Sequence, residues 1–310
     1  MSISPRENGL TRFFKPIWYR PSVQNMVGIG VGFKDLAINV NFKLRQNSAI
    51  SARQGSSAYT NIHVHSYGRK LGYDIYYQKY RGYFIENLGN FVNGLFSGEE
   101  LQQRDDLRLR NISTNVYYVF NPDRFSYRSA FVLDERQTRS GGSFILTGSL
   151  GYFKASADSS FIPPDTDIEF DPRAHFYNAD FYTFAVSPGY AHNFIFWKNC
   201  YFSGGISGMI GLQYQQAQAD NFRTKGVNYF LKGIVRSSLG YNAQKWVAGI
   251  SMTMDIQGLN TEFMQFRSNN LDLGIFFAYR IKTRWMKGKT TFFGFLKKKK
   301  DKGESAKQEG

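Results

Sequence analysis

The chain has 310 residues and a formal net charge of +15; 17% of it is aromatic, with 29 Phe, 20 Tyr and 4 Trp beside 30 Gly and 8 Pro. That aromatic load excludes a disordered chain, and no stretch approaches the ~20 consecutive apolar residues of a spanning helix, since Phe194–Trp197 and Ile275–Ala278 are soon broken by Lys198 and Arg280. From Arg280 onward eleven basic residues face three acidic ones, so the body of the chain is only mildly basic.

Residues 1–18 contain no apolar core of a secretory signal and are expected to be an N-terminal extension whose start is truncated or processed. Residues 19–284 are predicted to form one β-barrel domain, and 285–310, with the run Lys297–Lys300, a disordered basic tail. From Pro21 onward the hydrophobic period is two, the period of a strand with one apolar face. Strands are predicted near 23–33, 35–45, 58–67, 70–80, 107–120, 127–136, 142–154, 180–191, 199–214, 227–242, 245–257 and 270–282. The second is the clearest. Leu36, Ile38, Val40, Phe42 and Leu44 alternate with Asp35, Ala37, Asn39, Asn41, Lys43 and Arg45. Connections are tight at Phe33–Asp35 and Asn242–Gln244 but long over 81–106, 154–179 and 215–226. Tight turns on one rim and long loops on the other fit an up-and-down outer-membrane barrel with periplasmic turns and external loops.

The apolar faces run farther than a soluble sandwich needs and carry aromatics near their ends: Tyr190, Tyr214, Tyr229, Tyr241, Trp246 and Tyr279. Such ends fit the aromatic girdles of a lipid-facing band. The opposite face is then the lumen, lined by Asp35, Asn39, Asn41, Lys43, Arg45, Asp74, Gln78, Arg236, Asp255, Asp272 and Arg280, charges of both signs that can pair across the interior. The predicted fold class is all-β, a transmembrane antiparallel up-and-down β-barrel of about twelve strands.

Several segments carry a resemblance. Tyr19–Pro21 with the glycine-rich strand Val27–Phe33, the block Tyr67–Phe84, Phe125–Phe131, Ser140–Ser149 and Ala157–Pro164 resemble an uncharacterised family of outer-membrane β-barrels from Bacteroidota, catalogued as a domain of unknown function. The resemblance covers Tyr19 to about Lys282. It implies an outer-membrane location and brings no activity or catalytic residue with it.

Candidate chemistry is sparse. Gly28, Gly30 and Gly32 suggest a dinucleotide loop, but that motif needs a following helix, and a new strand starts at Asp35. These glycines are expected to form a small-residue face that admits close approach. Arg81–Ile85 resembles an RNA-binding aromatic motif but has Phe84 where a small residue is required. His63 and His65 share one strand face, as metal ligands can, without an evident third ligand; His175 and His192 fall in or near predicted loops. Asp158 and the acidic stretch 163–171 are expected to form a solvated loop rather than a calcium site. The single cysteine, Cys200, is expected to be a small buried hydrophobe. No cofactor, metal site or catalytic residue is assigned. The function expected is an integral outer-membrane scaffold or narrow pore, contacting outer-membrane lipid and passing a small solute if the lumen is open. The basic tail is expected to touch periplasmic anionic groups, and nucleic acid is not expected as a partner. The alternatives are an outer-membrane barrel enzyme of hydrolase or acyltransferase type and a soluble basic nucleic-acid-binding β protein.

Overall fold

A computed structural model describes residues 1–7, 10–11, 16–22, 26–33, 36–44, 48–87, 101–132, 135–163 and 171–279. Fourteen strands form one antiparallel sheet: β1 (Ser2–Glu7), β2 (Leu10–Thr11), β3 (Ile17–Arg20), β4 (Met26–Phe33), β5 (Leu36–Lys43), β6 (Ala58–Tyr67), β7 (Leu71–Ile85), β8 (Gln103–Val119), β9 (Gly141–Ser156), β10 (Asn178–Phe196), β11 (Cys200–Ala219), β12 (Phe222–Asn242), β13 (Trp246–Asn260) and β14 (Met264–Tyr279). A short helix, α1 (Ser48–Gln54), stands between β5 and β6. No helix among the described residues is long and apolar enough to cross a membrane.

From β4 to β14 each strand pairs with the next. The N-terminal strands then join the two ends of that run. β1 pairs with β14 through Ser2↔Arg267 to Pro5↔Met264 and with β3 through Ser2↔Trp18 and Ile3↔Ile17, and β3 pairs with β7 through Tyr19↔Ile85 and Arg20↔Phe84. Strands β7 to β14, β1 and β3 therefore form a closed ring, and β6, β5 and β4 continue outward from β7. The alternation that makes these segments strands also gives the ring two faces: along β10, Tyr182, Phe184, Val186, Tyr190 and Phe194 are exposed outside, while Phe181, Ala185, Ser187, Ala191 and Asn193 are buried inside.

Two connections differ from expectation. The stretch 215–226 is no long loop: β11 and β12 continue as a paired ladder to Ala219↔Phe222, leaving a turn at Asp220–Asn221. Gln216, Gln218 and Lys225 interrupt the outward apolar period but not the pairing, because a strand end beyond an apolar band has no need of an apolar face. Nor is 127–136 a strand. Arg128–Val132 forms one turn of π-helix within a segment that packs inside the ring, where Phe125, Tyr127 and Ala130 are buried with Tyr67, Tyr117, Val119, Ile145 and Ala191. The rim with the tight turns 68–70, 197–199 and 243–245 thus also holds this long insertion, 120–140. The strand count differs for a second reason as well: the first twenty residues supply β1, β2 and β3.

At the opposite rim the interior is apolar. Ile3, Ile17 and Tyr19 of the N-terminal strands meet Leu107, Phe153, Phe181, Phe230 and Phe266 of the ring and Phe161 and Phe176 of the β9–β10 connection. Each such side chain gains about 1.5–3 kcal/mol by leaving water. Polar groups are anchored within this layer: the Tyr19 hydroxyl donates to the Phe161 carbonyl, and Arg104 donates to Asp106 Oδ1 at 2.8 Å and to the Ser160 carbonyl at 2.9 Å. In the same connection Asp171 caps the turn Pro172–Ala174. The Arg173 guanidinium, 2.8 Å away, holds the Asp171 carboxyl below the usual carboxylate range.

Candidate functional site

The inner face of β6 carries His63, His65 and Tyr67 in succession, and register sets β7 against it: His63 opposes Tyr76, His65 opposes Asp74, and Tyr67 opposes Gly72. Gly72 is required there. A Cβ on it would come within 2.3 Å of the Tyr67 ring, so the glycine lets that ring lie across β7 and reach Asp74. Four rings follow one another at short range. His63 stacks on Tyr76 at 4.0 Å and meets His65 at 4.5 Å, and His65 meets Tyr67 at 5.2 Å.

Asp74 is the centre of this network and is fully buried. Its Oδ1 lies 3.1 Å from His63 Nε2 and accepts from the Tyr67 hydroxyl, and its Oδ2 accepts from the Tyr117 hydroxyl of β8. From the other side the inserted segment brings Tyr127, whose ring packs on Tyr67 at 4.9 Å and Tyr117 at 5.2 Å. Arg236 of β12 donates to the Tyr127 hydroxyl, placing a guanidinium in the neighbourhood of the carboxylate from across the ring. A buried carboxylate needs such partners, since an unpaired charge inside a protein costs several kcal/mol. A cavity of about 50 Å3 remains among Tyr117, Tyr127, Phe131, Ser187, Met209 and Arg236, room for a water or two.

His63, His65 and Asp74 bring their ligand atoms within 4.8 Å of one another. Asp74 is thus the third group that the two histidines lacked in the sequence, hidden because it belongs to another strand. Two imidazoles and a carboxylate are a donor set for a divalent cation. To bind one, Asp74 Oδ1 would have to release His63 and Tyr67, with Arg236 facing the added charge. As it stands His63 and Asp74 belong to a hydrogen-bond network, and the His65 ring packs between those of His63 and Tyr67.

The residues expected to line the interior are placed as follows. Asn39, Asn41, Lys43, Asp74, Gln78, Arg236 and Asp255 share the inner face, and Asp272 lies on the same face opposite Thr253. Asp35, Arg45 and Arg280 lie outside the described residues, as do the basic tail and most of the acidic stretch 163–171. Several inner groups pair: Lys232 meets Asp255 at 2.6 Å, Asn111 donates to Gln78 at 2.9 Å, and Lys43 donates to the Ser57 carbonyl at 2.9 Å. The glycines of β4 are seats. A Cβ at Gly28 or Gly30 would meet Asn41 Oδ1 at 2.2 Å or Asn39 Oδ1 at 2.1 Å. Gly82, within the RNA-motif look-alike, sits at a register shift with φ 83°, its backbone against Ser56. His192 faces outward beside Tyr190, and His175 lies 3.4 Å from Ser160. Cys200 is half-buried rather than buried, standing on the outer face beside Tyr241 at the start of β11.

On the outer face, cross-strand partners form continuous rows. One row reads Tyr77, Ile112, Tyr152, Tyr182, Tyr214, Val227 from β7 to β12. Nearer the other rim Phe194, Phe202, Leu239, Ile250 and Ile275 form another, with Tyr241, Trp246, Phe277 and Tyr279 beyond it. Tyr190, Tyr214, Tyr229, Tyr241, Trp246 and Tyr279 all face outward; Tyr229 is 77% exposed and Ile275 91%. Between the rows lie Leu150, Phe184, Val186, Ile206, Ile210, Leu212, Leu231 and Val235, every one exposed.

Residues 5–281 match the model of the family described as domain of unknown function (DUF4421), and the chain belongs to that family. No curated protein matches the chain.

Proposed function

We propose that this member of the family is an outer-membrane β-barrel with a filled interior, acting as a membrane scaffold rather than an open pore. The observation that carries the proposal is the band of exposed apolar side chains between two aromatic rows on the outer face. Water exposure of so much contiguous apolar surface is rare in soluble proteins. From Phe202 to Tyr214 the band runs about 40 Å along β11 at the usual rise per residue, or about 30 Å along the axis at a strand tilt near 40°. The apolar belt of membrane barrels is about 25 Å tall.

The scaffold part of the proposal follows from the interior. The apolar layer at one rim and the Tyr127–Phe131 insertion at the other occupy the space through which a solute would pass. The protein is expected to require detergent for monodispersity, to migrate differently on gels before and after heating, and to give no steady conductance in planar bilayers. A chain that is monodisperse without detergent overturns the membrane reading; stable open channels overturn the scaffold reading alone.

A further inference from the structure

Two residues past the tyrosine row, toward the rim with the apolar interior, the outer face changes character. The next cross-strand row reads Lys79, Arg110 and Lys154 on β7, β8 and β9, and the row after it sets Arg81 opposite Arg108. Lys79, Arg81, Arg108 and Arg110 are exposed and Lys154 half-exposed. Like charges directly opposite one another in a sheet repel, and here five cations occupy neighbouring positions on three adjacent strands. The compensation inside the chain is partial. Asp180 lies 3.5 Å from Lys154 but also accepts from the Tyr152 hydroxyl at 2.7 Å, and Asp158 lies 3.5 Å from Arg108. Among the described residues no carboxylate forms an ion pair with Lys79 or Arg110. On the centre side of the same rows the surface is a groove of about 600 Å3 walled by Ile112, Leu150, Tyr152, Tyr182, Phe184 and Leu212.

We infer that the outer face of β7–β9 at this rim is a binding site for an anionic membrane lipid, its phosphate held by Lys79, Arg110 and Lys154 and an acyl chain lying in the groove below. The step from the tyrosine row to the cation row is about 6–7 Å along the strand, which sets the cations just outside the interfacial aromatics, on the headgroup side. Arg supplies the planar donor fork that matches phosphate, and the lysines add point charge on long stems that reach the headgroup level while their methylenes stay on the apolar surface. The groove separates this site from one for a soluble anion or a nucleic acid: neither has a chain to fill it. The inference rests on the membrane reading above, and its test keeps the two apart.

The full chain is refolded into vesicles of phosphatidylcholine alone and into nanodiscs of phosphatidylcholine with a minority of phosphatidylglycerol, and the lipids retained by the protein are identified by native mass spectrometry. Phosphatidylglycerol is expected to be enriched several-fold over its share of the bilayer. The triple variant K79Q/R110Q/K154Q is expected to float with neutral vesicles like the parent but to retain lipid at the bulk ratio. A variant of the opposite rim, R69Q/K70Q/R124Q, is expected to keep the enrichment, and millimolar inorganic phosphate is expected to leave it unchanged. A parent that floats with neutral vesicles yet retains lipids at the bulk ratio overturns the site and leaves the membrane reading standing. Enrichment that survives in the first variant, or that free phosphate abolishes, also overturns the site. A parent that does not float with neutral vesicles overturns both.

Discussion

Asp74 shows how much a single position can depend on elements far away in the chain. Its carboxylate takes hydrogen bonds from β6 and β8, and its counter-charge is on β12. Asp74→Ala takes the acceptor from His63, Tyr67 and Tyr117 and the nearby negative charge from Arg236, and each buried donor left unmet costs about 1–3 kcal/mol. It is expected to lower the thermal unfolding midpoint in detergent markedly, and Asp74→Ala combined with Arg236→Met is expected to recover part of the loss. A double variant no more stable than the single one would show that the two groups do not interact. Tyr19→Phe is the milder case: it leaves the Phe161 carbonyl without its phenolic donor inside an apolar layer, an expected loss of about 1–3 kcal/mol in denaturant unfolding. The placement of Asp74, Gln78, Arg236 and Asp255 on one face was legible in the sequence, because strand alternation assigns faces without knowledge of partners. The grouping of Asp74 with His63, His65 and Arg236 was not, since it depends on register between strands and across the ring.

At the level of elements, the inserted segment 120–140 is the main departure from expectation. Phe125, Tyr127, Ser129 and Phe131 alternate as a strand would, and a short apolar run does not distinguish strand from helix; packing inside the ring decides. Tyr127 and Phe131 fill the interior beside Arg236 and Gly205 while the apolar layer closes the opposite rim, so the variant Y127A/F131A is expected to lower the unfolding midpoint in detergent and to stay silent in planar bilayers. Conductance in that variant would show that the opposite rim does not close the path. The sheet edges make a second expectation. Among the described residues β4 pairs only with β5, and Ser268–Tyr279 of β14 only with β13. An unpaired edge is not tolerated in hydrocarbon, so in vesicles the amides of Ile29–Val31 and Leu271–Phe277 are expected to exchange slowly with deuterium; rapid exchange there would contradict insertion of these strands. At the loop of Asp171 the depressed carboxyl contributes stability above its unfolded pKa of about 4 that is lost as pH falls through the lower folded value. Protection of the Arg173 and Ala174 amides, relative to their intrinsic exchange rates at each pH, is expected to fall on acidification in the parent and to be insensitive to pH in Asp171→Asn.

For the molecule as a whole, composition and charge have a common spatial explanation. Aromatic residues are frequent because they form two outer rows and fill the interior at both rims, and no apolar run is long because every second residue faces the other way. The overall β character, the outward apolar face and most of the long strands followed from that period alone. The closure by β1 and β3 did not: β3 meets β7 through only two residue pairs, too short a segment for any periodicity to mark. The rows make insertion directly measurable. In a C200S background, a fluorophore on I210C, midway along the outer face of β11, is expected to be strongly quenched by lipids brominated at mid-chain and unaffected by aqueous iodide. The same label on D123C, in the exposed rim segment, is expected to respond in the opposite way. A label at residue 210 that iodide quenches and brominated lipid does not would contradict the account.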